Sequence, residues 1–112
     1  MTLELRFAEV VKRNPVWFPD VWTAKPERHI AMHTGLELGS EAGEVLDVIK
    51  RFSRVDGAPA AAWRRQMPDL LGRELSDVLC NVAVLAALFD VDLDGAMIDV
   101  IARNDGRFPS AR

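Results

Sequence analysis

Two acid pairs stand out in the sequence because the members of each pair are three residues apart in apolar surroundings. Glu41 and Glu44 belong to the segment E-A-G-E, and Glu74 and Asp77 belong to the segment E-L-S-D. Acids at this spacing lie about one turn apart on a helix. All-oxygen ligands suit hard divalent ions such as Mg²⁺ or Mn²⁺, which accept phosphate oxygens at their open positions. The first chemistry to consider is therefore a divalent metal site.

Helical periodicity places both acid pairs at the edge of an apolar face. Glu41 and Glu44, with Glu37 one turn earlier, border such a face on their helix, and Glu74 and Asp77 border another. If the two faces pack together, as in a small helical bundle, the four carboxylates of the pairs converge. The two faces consist of Leu38, Val45, Val48, Ile49 and Phe52, and of Leu71, Leu75, Val78, Val82, Leu85 and Phe89.

Converging carboxylates repel one another strongly. At an effective dielectric constant near 20, two like charges about 4 Å apart cost about 4 kcal/mol, against a total domain stability of about 5 to 15 kcal/mol. A cation must lie among them, or some must stay protonated. For either pair alone, a solvated helix flank is the simpler interpretation, whereas the matching orientation of both pairs favours a metal site.

Four helices are expected to position these acids. They span about residues 2–13, 27–54, 68–90 and 93–106, with Pro26 and Pro68 opening the second and third and Asp92 as N-cap of the fourth. The connections 14–26 and 53–67 contain Pro or Gly and are expected to be irregular, apart from a helical turn around Trp63. Strand signals are nearly absent, so the sequence predicts an all-α fold.

Composition bounds the class of protein. A chain of 112 residues, 49% hydrophobic and 28% charged, fits one globular domain over residues 1–112. The net charge of −3 argues against a nucleic-acid polymer as partner, and an anionic ligand would need a bridging cation. No apolar run is long enough to span a membrane and no signal peptide is evident, so a cytoplasmic location is expected. The single cysteine, Cys80, is expected to be a buried structural thiol.

These motifs resemble the MazG-like all-α nucleoside triphosphate pyrophosphohydrolases. The family signature is ExxE followed, after a loop, by ExxD, which matches E-A-G-E at 41–44 and E-L-S-D at 74–77. The segment ARNDGRFP at 102–109 resembles the family's basic residue, Asn and Arg before a terminal Phe-Pro. The likeness runs from about Leu36 to Pro109.

The resemblance implies a small four-helix bundle that assembles as a homodimer or as a dimer of dimers. It also implies Mg²⁺-dependent hydrolysis of a nucleoside triphosphate to monophosphate and pyrophosphate, with Mn²⁺ as a possible substitute. Glu41, Glu44, Glu74 and Asp77 would hold the metal. Arg103, Asn104 and Arg107 would contact the substrate, although Arg103 and Arg107 also fit a solvent-exposed basic pair favoured by the helix dipole.

The sequence departs from the family pattern near the first acid pair. Many members have a second Glu just before ExxE, and that acid has been considered as the base for the attacking water, but here the position holds Ser40. Glu37, one turn earlier, could replace it and would complete a catalytic set with Glu41 and Glu44. Alternatively, a metal-bound hydroxide would attack without a separate base. Arg103 stands where Lys is common in the family. The 29 residues that separate Glu44 from Glu74 make this spacing slightly longer than the family pattern.

Several other residues have two interpretations. Trp17 and Trp22, with Phe18 between them, could stack on a nucleobase or cap the open end of the bundle. Asn81 could hydrogen-bond the base or sugar, or could belong to a buried network.

Two groups of regularly spaced residues on the second helix, a histidine pair and a glycine stripe, also have more than one interpretation. His29 and His33 could begin a zinc stripe, although a surface helix start is the commoner meaning. The stripe of Gly35, Gly39 and Gly43 predicts close approach by the first helix or by a second subunit.

Two rival functions remain. A carboxylate-bridged di-iron or di-manganese bundle would pair Glu with a following ExxH, and neither histidine follows an acid at that spacing. A non-catalytic, partner-binding helical bundle that retains the acids is the second rival, and Ser40 is its best support.

Overall fold

Five helices make up the regular structure of the computed structural model, which describes residues 2–23 and 26–109. They are α1 (Leu3–Trp17), α2 (Pro19–Trp22), α3 (Glu27–Ser53), α4 (Gly57–Leu88) and α5 (Leu93–Arg107). No β-strand occurs in these ranges. The predicted all-α fold is confirmed, with four long helices and the single turn of α2.

The boundaries of α3 and α5 agree with the sequence patterns. Pro26 stands immediately before α3, where a residue without an amide hydrogen costs nothing. At the start of α5, the Asp92 carboxylate accepts a hydrogen bond from the Gly95 amide at 3.0 Å. This is the N-cap predicted for Asp92.

The predicted start of the third long helix is wrong, because α4 begins at Gly57 and includes Pro68. Gly57 has φ of +66°, a conformation that glycine adopts without strain and that redirects the chain into the helix. Pro59 lies in the first turn, where amides have no intrahelical partner, and the run of alanines that follows has high helix propensity. Pro68 therefore removes one hydrogen bond inside a helix that packing stabilises.

The predicted irregular connection after the first helix is also wrong over its described part. Helix α1 continues through Pro15 to Trp17, and the Phe18 amide donates to the Asn14 carbonyl at 2.9 Å. Helix α2 then adds one turn that opens at Pro19. Residues 24 and 25, which the prediction included in this connection, lie outside the described residues.

The core lies where α3 and α4 pack along each other, with α1 against α4 and α2 between α1 and α3. Few side chains are buried, and even the predicted apolar faces are only partly covered, since Ile49, Leu75 and Phe89 remain exposed. Within residues 2–23 and 26–109, the buried residues are Ile30, Thr34, Met67, Ala83 and Val84.

Helix α5 makes little contact with the other helices. It follows a turn that closes α4, in which Asp90 has φ of +53° and the Val91 amide donates to the Ala86 carbonyl at 2.8 Å. The radius of gyration is 17.5 Å, compared with about 13 Å for a compact chain of this size. The chain is therefore elongated, and α5 leaves Met97, Ile98 and Ile101 exposed.

The glycine stripe of α3 is not covered by another helix of the same chain. A Cβ atom built on Gly35, Gly39 or Gly43 would meet no neighbouring atom within 4 Å. The expectation that the first helix approaches this stripe is therefore wrong for the described residues. None of the helices in the described part of the chain has both the length and the apolar character needed to cross a membrane.

Candidate metal centre

Helices α3 and α4 bring three carboxylates together. Glu41 and Glu44 come from α3 and Glu74 comes from α4, and one oxygen of each lies within 4.8 Å of the others. Asp77, one turn beyond Glu74, is not part of this group of three. It lines the neighbouring cavity together with Glu41. The packing of α3 on α4 is what makes the three acids neighbours.

Two of the carboxylate oxygens have no protein partner. Glu41 Oε2 and Glu74 Oε2 are buried, and neither is hydrogen-bonded to a described residue. Within residues 2–23 and 26–109, no basic side chain lies at ion-pair distance from Glu41, Glu44 or Glu74. Buried anionic oxygens without donors are costly. A hard divalent cation, which prefers such oxygens, fits the three residues present.

Burial and mutual repulsion raise the pKa of two of these acids, Glu41 and Glu74, in the metal-free chain. Burial raises the pKa of Glu41 above its usual value of 4.5, and the nearby charges of Glu44, Asp77 and Glu37 raise it further. The adjacent carboxyl of Glu44, with which Glu74 can share a proton, is the main cause that raises the pKa of Glu74, and burial and the charges of Glu44 and Asp77 act in the same direction. A bound cation would reverse both effects.

A cavity of about 170 Å³ adjoins the carboxylates. It lies between α1, α3 and α4, so residues distant in the sequence meet in its wall. Ten residues line it: Asn14, Trp17, Phe18, His33, Thr34, Glu37, Glu41, Asp77, Cys80 and Asn81.

One side of the cavity is aromatic. The rings of Phe18 and His33 have centroids 6.1 Å apart and are tilted by 52°, while Trp17 is half exposed. Thr34 is buried, and its hydroxyl donates to the Ile30 carbonyl at 2.8 Å, so its polar group is satisfied within α3. Aromatic faces next to carboxylates that suit a divalent cation fit a ligand with a flat ring and, through that cation, phosphate groups.

Cys80 lies half-buried in the cavity wall, not in the core where it was expected. Burial raises the pKa of its thiol, and the charges of Asp77 and Glu41 raise it further. The thiol is therefore protonated at neutral pH and serves as a small apolar surface.

The remaining predicted site residues divide into two sets. Glu37 and Asn81 line the cavity, and Trp22 lies behind it, half-buried, with its indole Nε1 donating to Asn14 Oδ1 at 2.8 Å. Arg103, Asn104 and Arg107 lie exposed on α5 and do not line the cavity. In the single chain, the structure does not bring these three residues to the carboxylates.

The proposed zinc stripe finds no support in the described ranges. His33 lies in the aromatic wall of the cavity and His29 is exposed near the start of α3. The group of potential metal ligands contains three glutamates and no histidine.

Asn14 is the main functional candidate that sequence patterns missed. Because Pro15 follows it, Asn14 was expected to open an irregular connection, whereas it lies in the last turn of α1. No sequence signal indicates that this turn faces α3 and α4, since such a contact depends on how α1 packs.

The fold and the site define an all-α protein with a carboxylate centre suited to a divalent metal. Over residues 31–110 the sequence matches the MazG nucleotide pyrophosphohydrolase domain, and the chain belongs to this family. The chain is also 36% identical over 74 residues to rat (Rattus norvegicus) dCTP pyrophosphatase 1. The aligned region makes up 66% of this chain and 43% of the length of that protein. No solved structure shows significant similarity to the chain.

The pKa of Glu41 leads to a prediction about stability. Because folding raises it above 4.5, the stability due to protonated Glu41 is full below pH 4.5 and is lost as the pH rises through the folded pKa. In metal-free protein, wild type should therefore lose stability relative to Glu41→Gln as the pH rises from 4.5 through the raised folded pKa. Urea denaturation at several pH values measures the difference.

Divalent metal should reverse the order of stability. Mg²⁺ at about 100 times its dissociation constant should stabilise wild type by about 2.7 kcal/mol, and Glu41→Gln by less. Asp47→Asn, which removes an exposed carboxylate of the same helix, is the matched control and should follow wild type. If the stability of wild type and of Glu41→Gln depended on pH in the same way, and Mg²⁺ stabilised both proteins equally, a metal site at Glu41 would be contradicted.

Proposed function

We propose that this protein hydrolyses nucleoside triphosphates, deoxynucleotides among them, to monophosphate and pyrophosphate, with Mg²⁺ as cofactor and Mn²⁺ as a substitute. The observation that carries the proposal is the group of three carboxylates, with unpartnered buried oxygens, beside an aromatic cavity. Family membership supports it. The rat relative is by name a dCTP pyrophosphatase, so dCTP is the first substrate to test. The corresponding role is control or cleansing of the nucleotide pool.

Glu41, Glu44 and Glu74 hold the metal, and Asp77 is the further ligand from α4. When bound, Mg²⁺ supplies positive charge among the carboxylates and acts as a Lewis acid on phosphate oxygens. That charge matters because the chain has a net charge of −3 and the substrate is a polyanion. The carboxylates thus recruit, through a cation, a ligand that they would otherwise repel.

Glu37 is the base for the attacking water. It lines the cavity one turn before Glu41, while Ser40 lacks a group that is basic near neutral pH. The water oxygen bonds to a phosphorus atom of the anhydride between the α and β phosphates. Its proton passes to the Glu37 carboxylate and then to solvent. The bond from that phosphorus to the bridging oxygen breaks, and monophosphate and pyrophosphate separate.

The cavity binds the nucleoside part of the substrate. Trp17 and the ring pair of Phe18 and His33 offer faces on which a base can stack, a contact worth about 1 to 3 kcal/mol per base. Asn81 offers a hydrogen bond from α4 on the same cavity. Because the cavity also includes Glu41, a base bound there directs its phosphates toward the carboxylates.

The protein works as a homodimer or a dimer of dimers. A second copy would cover the exposed apolar residues of α5 and the glycine stripe of α3, which the single chain leaves bare. It would also allow α5 of one subunit to carry Arg103, Asn104 and Arg107 to the phosphates bound by another. The same residues lie apart from the carboxylates within one chain, which is why a second copy is required.

Hydrolysis should be dependent on the carboxylates. Wild type with Mg²⁺ should release pyrophosphate, identified by ³¹P NMR, from dCTP or another member of a panel of the eight common triphosphates plus deoxyuridine triphosphate. Glu41→Gln and Glu74→Gln should each lower kcat/KM at least about 100-fold, because even outer-shell partners of metal ligands cost about 10- to 100-fold when removed.

Asp47→Asn is the control for this measurement and should retain wild-type activity, since Asp47 is exposed and its carboxylate pairs with Arg51 at 3.0 Å. Absence of pyrophosphate release from the whole panel, with either Mg²⁺ or Mn²⁺, would contradict the proposal and favour a partner-binding bundle. Iron bound by protein produced with ample iron would favour the di-metal rival.

Assembly can be measured by light scattering after gel filtration. Wild type should have a mass two or four times that of the 12.5 kDa chain. Ile98→Glu should shift the protein toward the single-chain mass, because Ile98 belongs to the exposed apolar face of α5. Asp105→Asn, an exposed polar substitution on the same helix, should leave the mass unchanged.

A mixing experiment tests the contribution of α5. Glu41→Gln and Arg107→Ala proteins, each inactive alone, should regain activity when their subunits are exchanged, because some mixed sites combine an intact carboxylate group with an intact α5. A fully active protein of 12.5 kDa at all concentrations would contradict the assembly.

A further inference from the structure

A side-chain hydrogen bond between α1 and α2 fixes the orientation of one amide in the cavity wall. Trp22 Nε1 is 2.8 Å from Asn14 Oδ1. An indole N–H can only donate, so the Asn14 atom that faces it must be the oxygen. Asn14 therefore keeps both hydrogens of Nδ2 for other acceptors, and none of the described residues accepts them. Because Asn14 lines the cavity, this donor is available to a ligand there.

A second amide in the same cavity has the opposite orientation. Asn81 Nδ2 donates to the Asp77 backbone carbonyl at 3.2 Å. A carbonyl can only accept, so Asn81 must use its nitrogen in this contact and its Oδ1 stays free as an acceptor. Two asparagines of the cavity wall thus have amides oriented by hydrogen bonds, which leave the nitrogen of Asn14 and the oxygen of Asn81 unused.

We infer that these two asparagines recognise the hydrogen-bonding edge of a nucleobase. Asn14 donates to a carbonyl oxygen or an unprotonated ring nitrogen of the base, and Asn81 accepts from an exocyclic amine or a ring N–H. Asn14 is thereby a specificity-determining residue, and Trp22 is the positioning residue that sets its amide. The inference depends on the proposed function, because it identifies the part of the nucleotide that the cavity binds.

The arrangement of the cavity agrees with this assignment. The rings of Phe18, His33 and Trp17 offer faces to the flat surface of a base, whereas Asn14 and Asn81 offer polar atoms to its edge. Glu41 and Asp77 belong to the same cavity, on the side where the phosphates would lie. Stacking accepts any base, so discrimination among bases must come from the polar atoms.

The fixed amide explains how a base could be rejected. If Asn14 were free to turn over, it could offer either a donor or an acceptor and would discriminate little. With Trp22 in place, a base that presents a donor toward Asn14 leaves two donors facing each other, and neither finds an acceptor. Sites whose polar groups are held in a fixed orientation reject the wrong ligand more strongly than apolar pockets do.

The test is the affinity of nucleoside monophosphates and of inorganic tripolyphosphate, measured by calorimetry with Mg²⁺ present. Asn14→Asp is the informative variant, because it keeps the acceptor for Trp22 and the size of the side chain but replaces the donor by a second acceptor. Affinity for the monophosphate that wild type prefers should fall about 10- to 100-fold. Tripolyphosphate has no base, so its affinity reports the effect of the added charge alone. The fold-loss of affinity for tripolyphosphate should be at least ten times smaller than that for the monophosphate.

Trp22→Phe tests the positioning role. It removes the indole N–H but keeps an aromatic ring, so the amide of Asn14 is free to turn over. The ratio of affinities between the preferred base and the others should shrink several-fold, while tripolyphosphate affinity stays within about twofold. Trp63→Phe is the matched control, because Trp63 is half-buried on α4 outside the cavity and should leave this ratio unchanged.

The results separate this inference from the proposed hydrolysis. If wild type releases no pyrophosphate but Asn14→Asp still weakens nucleotide binding selectively, recognition of the base stands and the hydrolysis does not. If wild type hydrolyses triphosphates and Asn14→Asp leaves both KM and monophosphate affinity unchanged, recognition by Asn14 is overturned. It is also overturned if Asn14→Asp weakens monophosphate and tripolyphosphate equally, or if wild type binds no monophosphate.

Discussion

Repulsion among the carboxylates that α3 and α4 hold together is the interaction on which the site depends. Glu41, Glu44 and Glu74 meet at the packed junction of the two helices, and two of their oxygens are buried without a donor. The same contacts that form the core thus create a concentration of negative charge beside it. The charge raises the pKa of Glu41 and Glu74 in the free protein, and a divalent cation would relieve it without requiring protonation.

The other helices give this charge centre a chemical setting. Helix α1 and Phe18, which joins it to α2, close one side of the cavity, and the hydrogen bond between Trp22 and Asn14 links the two helices. Helix α5 contributes little to the core and leaves an apolar face uncovered. The chain therefore has a carboxylate group and a cavity at the packed junction of α1, α3 and α4, while the basic residues of α5 lie exposed and apart from them.

How far the sequence predicted the structure depended on the range of the interactions involved. Local rules placed α3 after Pro26 and α5 after Asp92, because caps and prolines act within one turn. The same rules misplaced the start of α4, because Gly57, Pro59 and Pro68 usually interrupt helices but here occupy positions that the helix tolerates or that packing overrides. Helical periodicity brought Glu41, Glu44 and Glu74 together correctly, since it requires only that two apolar faces meet.

Features that depend on tertiary packing could not be obtained in this way. The position of Asn14 beside Asn81 requires knowing how α1 crosses α3 and α4, and no periodicity encodes that crossing. Periodicity likewise gave no reason for Asp77 to lie outside the group of three acids, because it fixes the face of a residue but not its rotamer. The isolation of α5 is a further example, since an amphipathic pattern indicates that a face is covered but not by which chain.

The most direct test of the central claim is a crystal structure of the protein grown with Mn²⁺, with anomalous diffraction data recorded at the manganese absorption edge. The carboxylate repulsion predicts an anomalous peak bounded by Glu41, Glu44 and Glu74. Crystals of well-folded protein that show no peak there at saturating Mn²⁺, or that show the peak elsewhere, would contradict it.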